Sequence, residues 1–200
     1  MESVLEKIVG AVALERYLRN IVDFSDEEMD IIMSHFEPMQ LPTNEYFVDE
    51  GLVCDRIGFL TKGYVRCYYE INDTEVTTMV LGKHNIITSH TSFTLQRPSI
   101  VYVEALADCE LLTLSYESMQ ELYQQFPKWE RLGRLITEQV YGYMESRVVD
   151  YLCLSAEERY VKMLREDDKL LKNVPLRYIA SMLGITPETL SRIRKKIHKG

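Results

Sequence analysis

The chain has 200 residues, of which 46% are hydrophobic and 27% are charged, and its formal net charge is −8 at pH 7. This hydrophobic content is enough to build a folded core and excludes an intrinsically disordered chain. No apolar run approaches the length of a membrane span. The N-terminal segment is acidic and has no long apolar stretch, so we expect no secretory signal, no membrane partner and a cytoplasmic location.

The chain shows none of the common metal or catalytic motifs. Its four cysteines are far apart and form no Cys-x-x-Cys pair; they are Cys54, Cys67, Cys109 and Cys153. This spacing argues against a zinc or iron–sulfur site made from closely spaced ligands. His-x-His pairs, nucleophile elbows, phosphate loops and zincin motifs are also absent from the sequence. We therefore expect reduced thiols, no enzyme activity, no metal site and no cofactor.

The first part of the chain is predicted to be helical. Apolar residues recur at helical spacing between residues 5 and 12. A second helix is predicted to start at Ser25, because Ser25 and Glu28 have the spacing of a capping box.

Residues 39 to 115 read instead as short strands separated by turns. The apolar runs are 46–48, 57–60, 64–69, 75–81, 101–105 and 110–114. Many short strands at even spacing are typical of a β-sandwich or a small barrel.

After Pro127 the helical spacing returns and continues for about six turns before Asp150. The apolar residues are Trp129, Leu132, Ile136, Val140, Tyr143, Met144 and Val148. Such a helix either packs on the barrel or forms a coiled-coil seam between two subunits, and the seam is the favoured interpretation. A capping-box pattern at Ser155 and Glu158 then opens the last domain. We set the domains at 1–126, 127–152 and 153–200.

The segment 174–199 carries the most specific pattern. Pro175 suits the first position of a helix, and Gly184 can take the left-handed conformation that ends it. Thr186 can cap a second helix whose first residue is Pro187. The buried stripe of this second helix is predicted to be Leu190, Ile193 and Ile197. Two short helices joined by a turn are typical of a helix-turn-helix, which places its second helix in a DNA groove.

The charge of the chain is distributed unevenly. Residues 155–200 contain eleven Lys and Arg against six Asp and Glu, a net charge of +5, whereas residues 1–154 carry −13. An acidic protein with a basic C-terminal end fits one nucleic-acid-binding module on a separate body. An ordinary helical hairpin with a solvated charged face is the alternative explanation.

The order of these elements resembles the CRP/FNR superfamily of bacterial transcription regulators over nearly the whole chain. The most specific match is the segment 177–192, where Glu188, Thr189 and Arg192 stand at positions of the family's recognition helix. The segment 103–112 resembles the strand pair that closes the family's cyclic-nucleotide-binding barrel. Glycines spaced like the barrel's turn glycines are Gly51, Gly63 and Gly82.

The resemblance implies an α+β fold with an N-terminal β-barrel or jelly-roll sensor domain, a long dimerisation helix and a C-terminal all-α helix-turn-helix domain. It implies a dimer that binds double-stranded promoter DNA and responds to a small-molecule effector, and it makes RNA polymerase a further candidate partner. Arg192 would bond guanine and Glu188 would accept from cytosine, while Arg194 and the lysines would contact phosphates. The DNA-contacting residues would be Thr186, Glu188, Thr189, Ser191, Arg192, Arg194, Lys195 and Lys196.

The sequence departs from the family at the nucleotide site. The family has Gly-Glu followed about ten residues later by Arg, and these hold the ribose hydroxyl and the cyclic phosphate. In this chain Thr88 and Ser89 stand at the Gly-Glu positions and Ser99 at the Arg position, with Arg97 two residues away. Because a buried phosphate without a cationic partner is costly, we predict no tight binding of cyclic AMP. Thr88, Ser89, Arg97 and Ser99 remain the candidate effector pocket.

Several alternatives stay open at this point. Haem ligation would need His35, His84 or His90. The family's iron–sulfur branch uses an N-terminal cysteine cluster, and it lacks support here because no cysteine precedes Cys54. The family's two-stranded wing is not expected after the second helix. The competing functions are a cupin-like barrel that binds a small molecule or metal without a DNA-binding role, and a sensor or scaffold module that has lost DNA binding.

Overall fold

The computed structural model describes residues 2–197, and for residues 2–7, 168 and 169 it describes the backbone only. The helices are α1 Glu2–Ile21, α2 Asp26–Ser34, α3 His90–Leu95, α4 Tyr116–Gln125, α5 Pro127–Cys153, α6 Ala156–Glu166, α7 Asp168–Asn173, α8 Leu176–Met182 and α9 Pro187–Ile197. The strands are β1 Glu37–Leu41, β2 Tyr46–Val48, β3 Arg56–Lys62, β4 Tyr64–Ile71, β5 Thr74–Gly82, β6 Ile86–Ile87, β7 Tyr102–Ala105 and β8 Cys109–Ser115.

The strands form two four-stranded sheets, with the orders β1-β8-β3-β6 and β2-β7-β4-β5. The pairings of β1, β3 and β6 in the first sheet, and of β2 with β7 in the second, are antiparallel. Phe59, Leu60 and Leu114 are almost completely buried, because the strands of the first sheet carry apolar residues toward the core. The predicted α+β fold with a β-sandwich body is confirmed.

The helix α2 begins with the predicted capping box. The Glu28 amide donates to the Ser25 hydroxyl oxygen at 3.2 Å, and the Ser25 amide donates to the Glu28 carboxylate at 2.7 Å. Ser155 and Glu158 repeat this arrangement at the start of α6. Each box satisfies two amides that a helix start would otherwise leave unpaired.

The first helix buries other residues than its sequence pattern suggests. Ile8 and Val9 are more than half exposed, whereas Leu14 and Leu18, one and two turns further on, are buried. The apolar pattern therefore locates the helix but does not identify the residues that pack in the core.

Contacts among residues divide the chain into two compact units. The first contains the residues up to 66 together with 81–138, and the second contains 67–80 together with the residues from 139 on. Trp129 and Leu132 are buried in the core of the first unit, and Tyr160, Ile179 and Leu190 in the core of the second. The sequence-based domain boundaries near residues 126 and 152 stay a prediction.

Within residues 2–197, no helix is both long enough and apolar enough to cross a membrane.

Candidate nucleic-acid interface and effector site

The helices α8 and α9 are joined by a tight turn with a defined hydrogen-bond pattern. Gly184 has φ +67°, which is the left-handed conformation that a glycine adopts at little cost. Its amide donates to the Ser181 carbonyl at 2.9 Å, and the Ile185 amide donates to the Ala180 carbonyl at 3.0 Å. These two bonds are the Schellman arrangement that closes a helix. The predicted role of Gly184 is confirmed.

The sequence pattern predicts Pro175 as the first residue of α8, but in the structure it lies one position before the helix. It is the N-cap residue of α8, with ψ 133°, and the helix begins at Leu176. A proline in this extended conformation restricts the chain just before the first turn, so it still fixes where α8 starts.

The start of α9 follows the predicted pattern. Pro187 is its first residue, and the Thr186 hydroxyl accepts a hydrogen bond from the Thr189 amide at 3.3 Å. A hydrogen bond from its own amide, together with one from the Thr186 hydroxyl, lowers the pKa of Glu188 below its ordinary value. Glu188 is therefore a carboxylate at neutral pH, with acceptor oxygens only.

The inner face of the α8–α9 pair is apolar. Ile179 and Ala180 on α8 and Leu190 on α9 have no exposed surface, while Ile193 and Ile197 are half-buried. This packing directs the polar residues of α9 away from the core.

The outer face of α9 is polar and positively charged. Thr186, Glu188, Ser191, Arg192, Lys195 and Lys196 are exposed, and Thr189 and Arg194 are half-buried. The Arg192 guanidinium donates to the Thr189 hydroxyl oxygen at 3.1 Å. Lys196 forms an exposed ion pair of 2.7 Å with Glu157 on α6. Lys199, also basic, lies outside the described residues.

The structure brings together Ser89 and Ser99, the two serines that the sequence analysis set against the family's charged pair. Ser89 and Ser99 are 5% and 2% exposed, and their hydroxyl oxygens lie 2.9 Å apart. The Ser99 hydroxyl also accepts from the Val101 amide at 3.0 Å. The Thr88 hydroxyl lies 3.3 Å from the Cys54 thiol, whereas the Arg97 side chain is exposed. Ser89 and Ser99 thus bond to each other, Thr88 bonds elsewhere, and the Arg97 side chain is directed to the surface.

Comparisons with known proteins identify the fold of the chain. Residues 38–126 match the family model of the cyclic nucleotide-binding domain. FixK2 from Bradyrhizobium japonicum has a TM-score of 0.73 at 17% identity, over 82% of this chain and 85% of FixK2. The global regulator CLP from Xanthomonas campestris has a TM-score of 0.67 at 18% identity, over 88% and 92%. A crp/fnr family protein from Eubacterium rectale has a TM-score of 0.67 at 15% identity, over 88% and 84%.

The chain has the CRP/FNR fold. At these sequence identities the likeness to solved structures establishes the fold alone. A search of the curated proteins found no match.

The structure contains one buried ion pair that the sequence analysis did not predict. Arg66 on β4 and Glu104 on β7 are 3% and 7% exposed, and the Arg66 Nε donates to the Glu104 carboxylate at 2.6 Å. The two residues are 38 positions apart. The available signal was a charged residue inside each of two apolar strands, since charges are rarely buried unless they are paired.

The first unit also contains an apolar cavity of about 40 Å³. It lies among residues of α1, β3 and the first turns of α5, including Leu14, Phe59, Trp129 and Leu132. Apolar side chains and Gly133 line it. A charged effector needs polar groups to orient it, so this cavity does not suit one.

The C-terminal part of α5 exposes a continuous apolar surface. Val140 and Met144 are 46% and 40% exposed, and Val148 and Leu152 are 59% and 81% exposed. These residues recur at steps of four and so lie along one side of the helix. A surface of this kind is characteristic of a contact with another protein chain.

Proposed function

We propose that the chain is a dimeric, sequence-specific DNA-binding transcription regulator of the CRP/FNR type. The single observation that carries the proposal is the outer face of α9, where Arg192, Lys195 and Lys196 are exposed on a helix anchored by the buried Leu190. A rigid helix with a basic outer face has the shape and charge that the major groove accepts. CLP, which shares the fold, is described as a global regulator that links cell-cell signaling to virulence gene expression.

In this proposal α9 is the recognition helix. The Arg192 guanidinium has the planar fork that bonds guanine O6 and N7, and the Glu188 carboxylate can accept from a cytosine amino group. Thr189 bonds to Arg192 in the structure and so restrains the direction of the guanidinium. Ser191 contacts a phosphate or a base edge. Thr186 acts mainly as the cap of the helix.

The remaining basic residues supply sequence-independent affinity. Lys195, Lys196 and Arg194 contact phosphates, and their effect on binding falls as salt concentration rises. Lys196 must exchange its ion pair with Glu157 for a phosphate when the protein binds DNA. An exposed ion pair contributes little free energy, so this exchange costs little.

The dimer is proposed to form through α5. Two copies that bury the exposed apolar side containing Val140, Met144 and Val148 would form a coiled-coil seam, as expected for a helix-turn-helix protein that reads two half-sites. The working division of the chain is a sensor domain in residues 1–126, a dimerisation helix in 127–152 and a DNA-binding domain in 153–200. The protein acts where the DNA is, in the cytoplasm, and RNA polymerase is a candidate partner.

The effector is proposed to be something other than cyclic AMP. Ser89 and Ser99 carry no charge to hold a ribose hydroxyl or a cyclic phosphate, and they bond to each other. CLP is described as responsive to c-di-GMP, but the two serines offer no charge to the phosphates of a cyclic dinucleotide either, so uncharged small molecules are the first class to screen. Among the described residues, no group of three or more His, Cys, Asp and Glu side chains could hold a metal ion.

Titration of the full chain against a labelled duplex from its own promoter region tests this function. We expect saturable binding whose affinity falls steeply with salt, and tighter binding than to a shuffled duplex of the same composition. Equal affinity for the two duplexes at every salt concentration would contradict sequence-specific regulation.

A further inference from the structure

Arg159 on α6 connects the ends of two other helices in the second unit. One terminal nitrogen of its guanidinium donates to the Leu154 carbonyl at 2.6 Å, just after α5 ends. The other donates to the Leu183 carbonyl at 2.8 Å, and Leu183 is the C-cap of α8. Both carbonyls lie at helix C-termini, where four carbonyls lack an intrahelical partner and the helix dipole attracts a cation.

The same guanidinium lies over an aromatic ring at this point. Its central carbon is 4.5 Å from the centre of the Tyr151 ring, which is a cation–π distance. Tyr151 in turn lies against the turn between α8 and α9, since a Cβ added to Gly184 would collide with the Tyr151 hydroxyl oxygen. Arg147 adds a longer hydrogen bond of 3.4 Å to the Met182 carbonyl.

We infer that Arg159 is the positioning residue that fixes the α8–α9 turn to the C-terminal end of α5. Its planar fork is suited to two carbonyls in different directions, which the compact ammonium group of a lysine cannot bond with the same geometry. This inference rests on the proposed function. In a dimer joined through α5, the contact sets the separation of the two recognition helices, so Arg159 controls sequence discrimination without touching DNA.

The test compares Arg159→Ala and Arg159→Lys with Arg165→Ala. Arg165 is an exposed cation on the same helix, and among the described residues the structure shows no such contacts for it. Arg165→Ala changes the net charge by the same amount as Arg159→Ala. Affinities are measured for a duplex enriched by the wild-type full chain from a random library and for a shuffled duplex. Losing one or two charge-assisted hydrogen bonds is expected to weaken binding to the enriched duplex about tenfold or more. Binding to the shuffled duplex should change by no more than about twofold in the Arg159 variants.

Arg159→Lys guards against a trivial loss of folding, because it keeps the charge and the aliphatic stem. The inference is overturned if both Arg159 variants keep the wild-type ratio of specific to non-specific affinity. It is also overturned if both affinities fall together in Arg159→Lys, since that outcome indicates only a less stable protein.

Amide hydrogen exchange without DNA separates this inference from the proposed function. The amides of Gly184 and Ile185 are expected to exchange about tenfold faster in both Arg159 variants than in the wild type or Arg165→Ala. If the wild type binds no DNA, the proposed function fails. If exchange at these two amides is unchanged in the Arg159 variants, the structural role of Arg159 is rejected, whether or not the chain binds DNA.

Discussion

The hydroxyl oxygens of Ser89 and Ser99 lie 2.9 Å apart, and both serines are buried. The CRP/FNR resemblance places a Glu and an Arg at these two positions, whereas this chain has two uncharged serines that bond to each other. A cyclic nucleotide that entered a site at these serines would lose water from its phosphate, and the two hydroxyls would offer it no positive charge.

The first prediction follows from this pair. Isothermal titration of the full chain with cyclic AMP should give no binding at micromolar concentrations, because the cost of burying the phosphate is not offset. A thermal unfolding midpoint that stays constant as cyclic AMP is added would agree. Micromolar affinity for cyclic AMP would show that other residues of the barrel supply the missing charges.

The second prediction concerns the buried ion pair. Glu104→Gln leaves Arg66 facing a neutral partner in a buried site and should lower the free energy of unfolding by about 3–5 kcal/mol. Urea denaturation measures this loss. Glu70→Gln makes the same chemical change at an exposed position of β4 and should stay within about 0.5 kcal/mol of wild type. A Glu104→Gln protein as stable as the control would mean that the pair contributes nothing to the fold.

The third prediction concerns the apolar side of α5. Val148→Glu should weaken dimerisation by at least about a hundredfold, because each of the two copies would lose about 1.5–3 kcal/mol of apolar burial and place a charge at the seam. Sedimentation equilibrium measures the dissociation constant. Gln139→Glu adds the same charge to an exposed position of the same helix, outside the apolar side, and should leave the dimer intact. A monomeric wild type, or equal effects of the two variants, would count against the seam.

The fourth prediction is a pH dependence at the start of α6. Hydrogen bonds from the Ser155 hydroxyl and amide hold the pKa of Glu158 below its ordinary value of 4.5. Because the folded-state pKa is depressed, the stabilisation is fully present above pH 4.5 and is lost as the pH falls through the depressed value. The thermal midpoint of Glu158→Gln should therefore lie below that of wild type at neutral pH, and the gap should narrow under acid conditions.

Glu145→Gln is the control for this pH dependence, since Glu145 is exposed and the structure shows no hydrogen bond to it. Its midpoint should follow that of wild type at every pH. A gap between Glu158→Gln and wild type that stays constant down to acid pH would contradict the capping role of the carboxylate.

The fifth prediction concerns base recognition. Arg192→Ala should cost about 1–3 kcal/mol of discrimination at one base position, because it removes the guanidinium that the proposed function assigns to guanine O6 and N7. Lys195→Ala should instead weaken binding to all sequences alike. It should also reduce the slope of log affinity against log salt concentration by about one, the contribution of one phosphate contact. Unchanged base preference in Arg192→Ala would reject its role as the reading residue.

Features set by neighbouring residues were predictable from the sequence. The capping boxes at Ser25 and Ser155, the left-handed Gly184 and the Thr186 cap all depend on residues within about one helical turn. Such local interactions leave a recognisable spacing, so they located α2, α6 and α9.

Features set by distant residues were not predictable in this way. Arg66 and Glu104 become a buried pair only when β4 and β7 lie side by side. The strand β6 was also not predictable, because its two residues form a strand only by pairing with the neighbouring strand β3. Arg159 carries no pattern that indicates its two carbonyl partners, since one of them is 24 residues away.

Selection of binding sites from a random duplex library by the wild-type full chain tests the central claim most directly. Two copies of α9 joined through α5 should enrich one sequence with two-fold symmetry, whose half-sites are about one helical turn of DNA apart. Arg192→Ala should lose the preference at one position in each half-site. A library that shows no enrichment, or an enriched sequence without symmetry that binds one copy of the chain, would contradict the account.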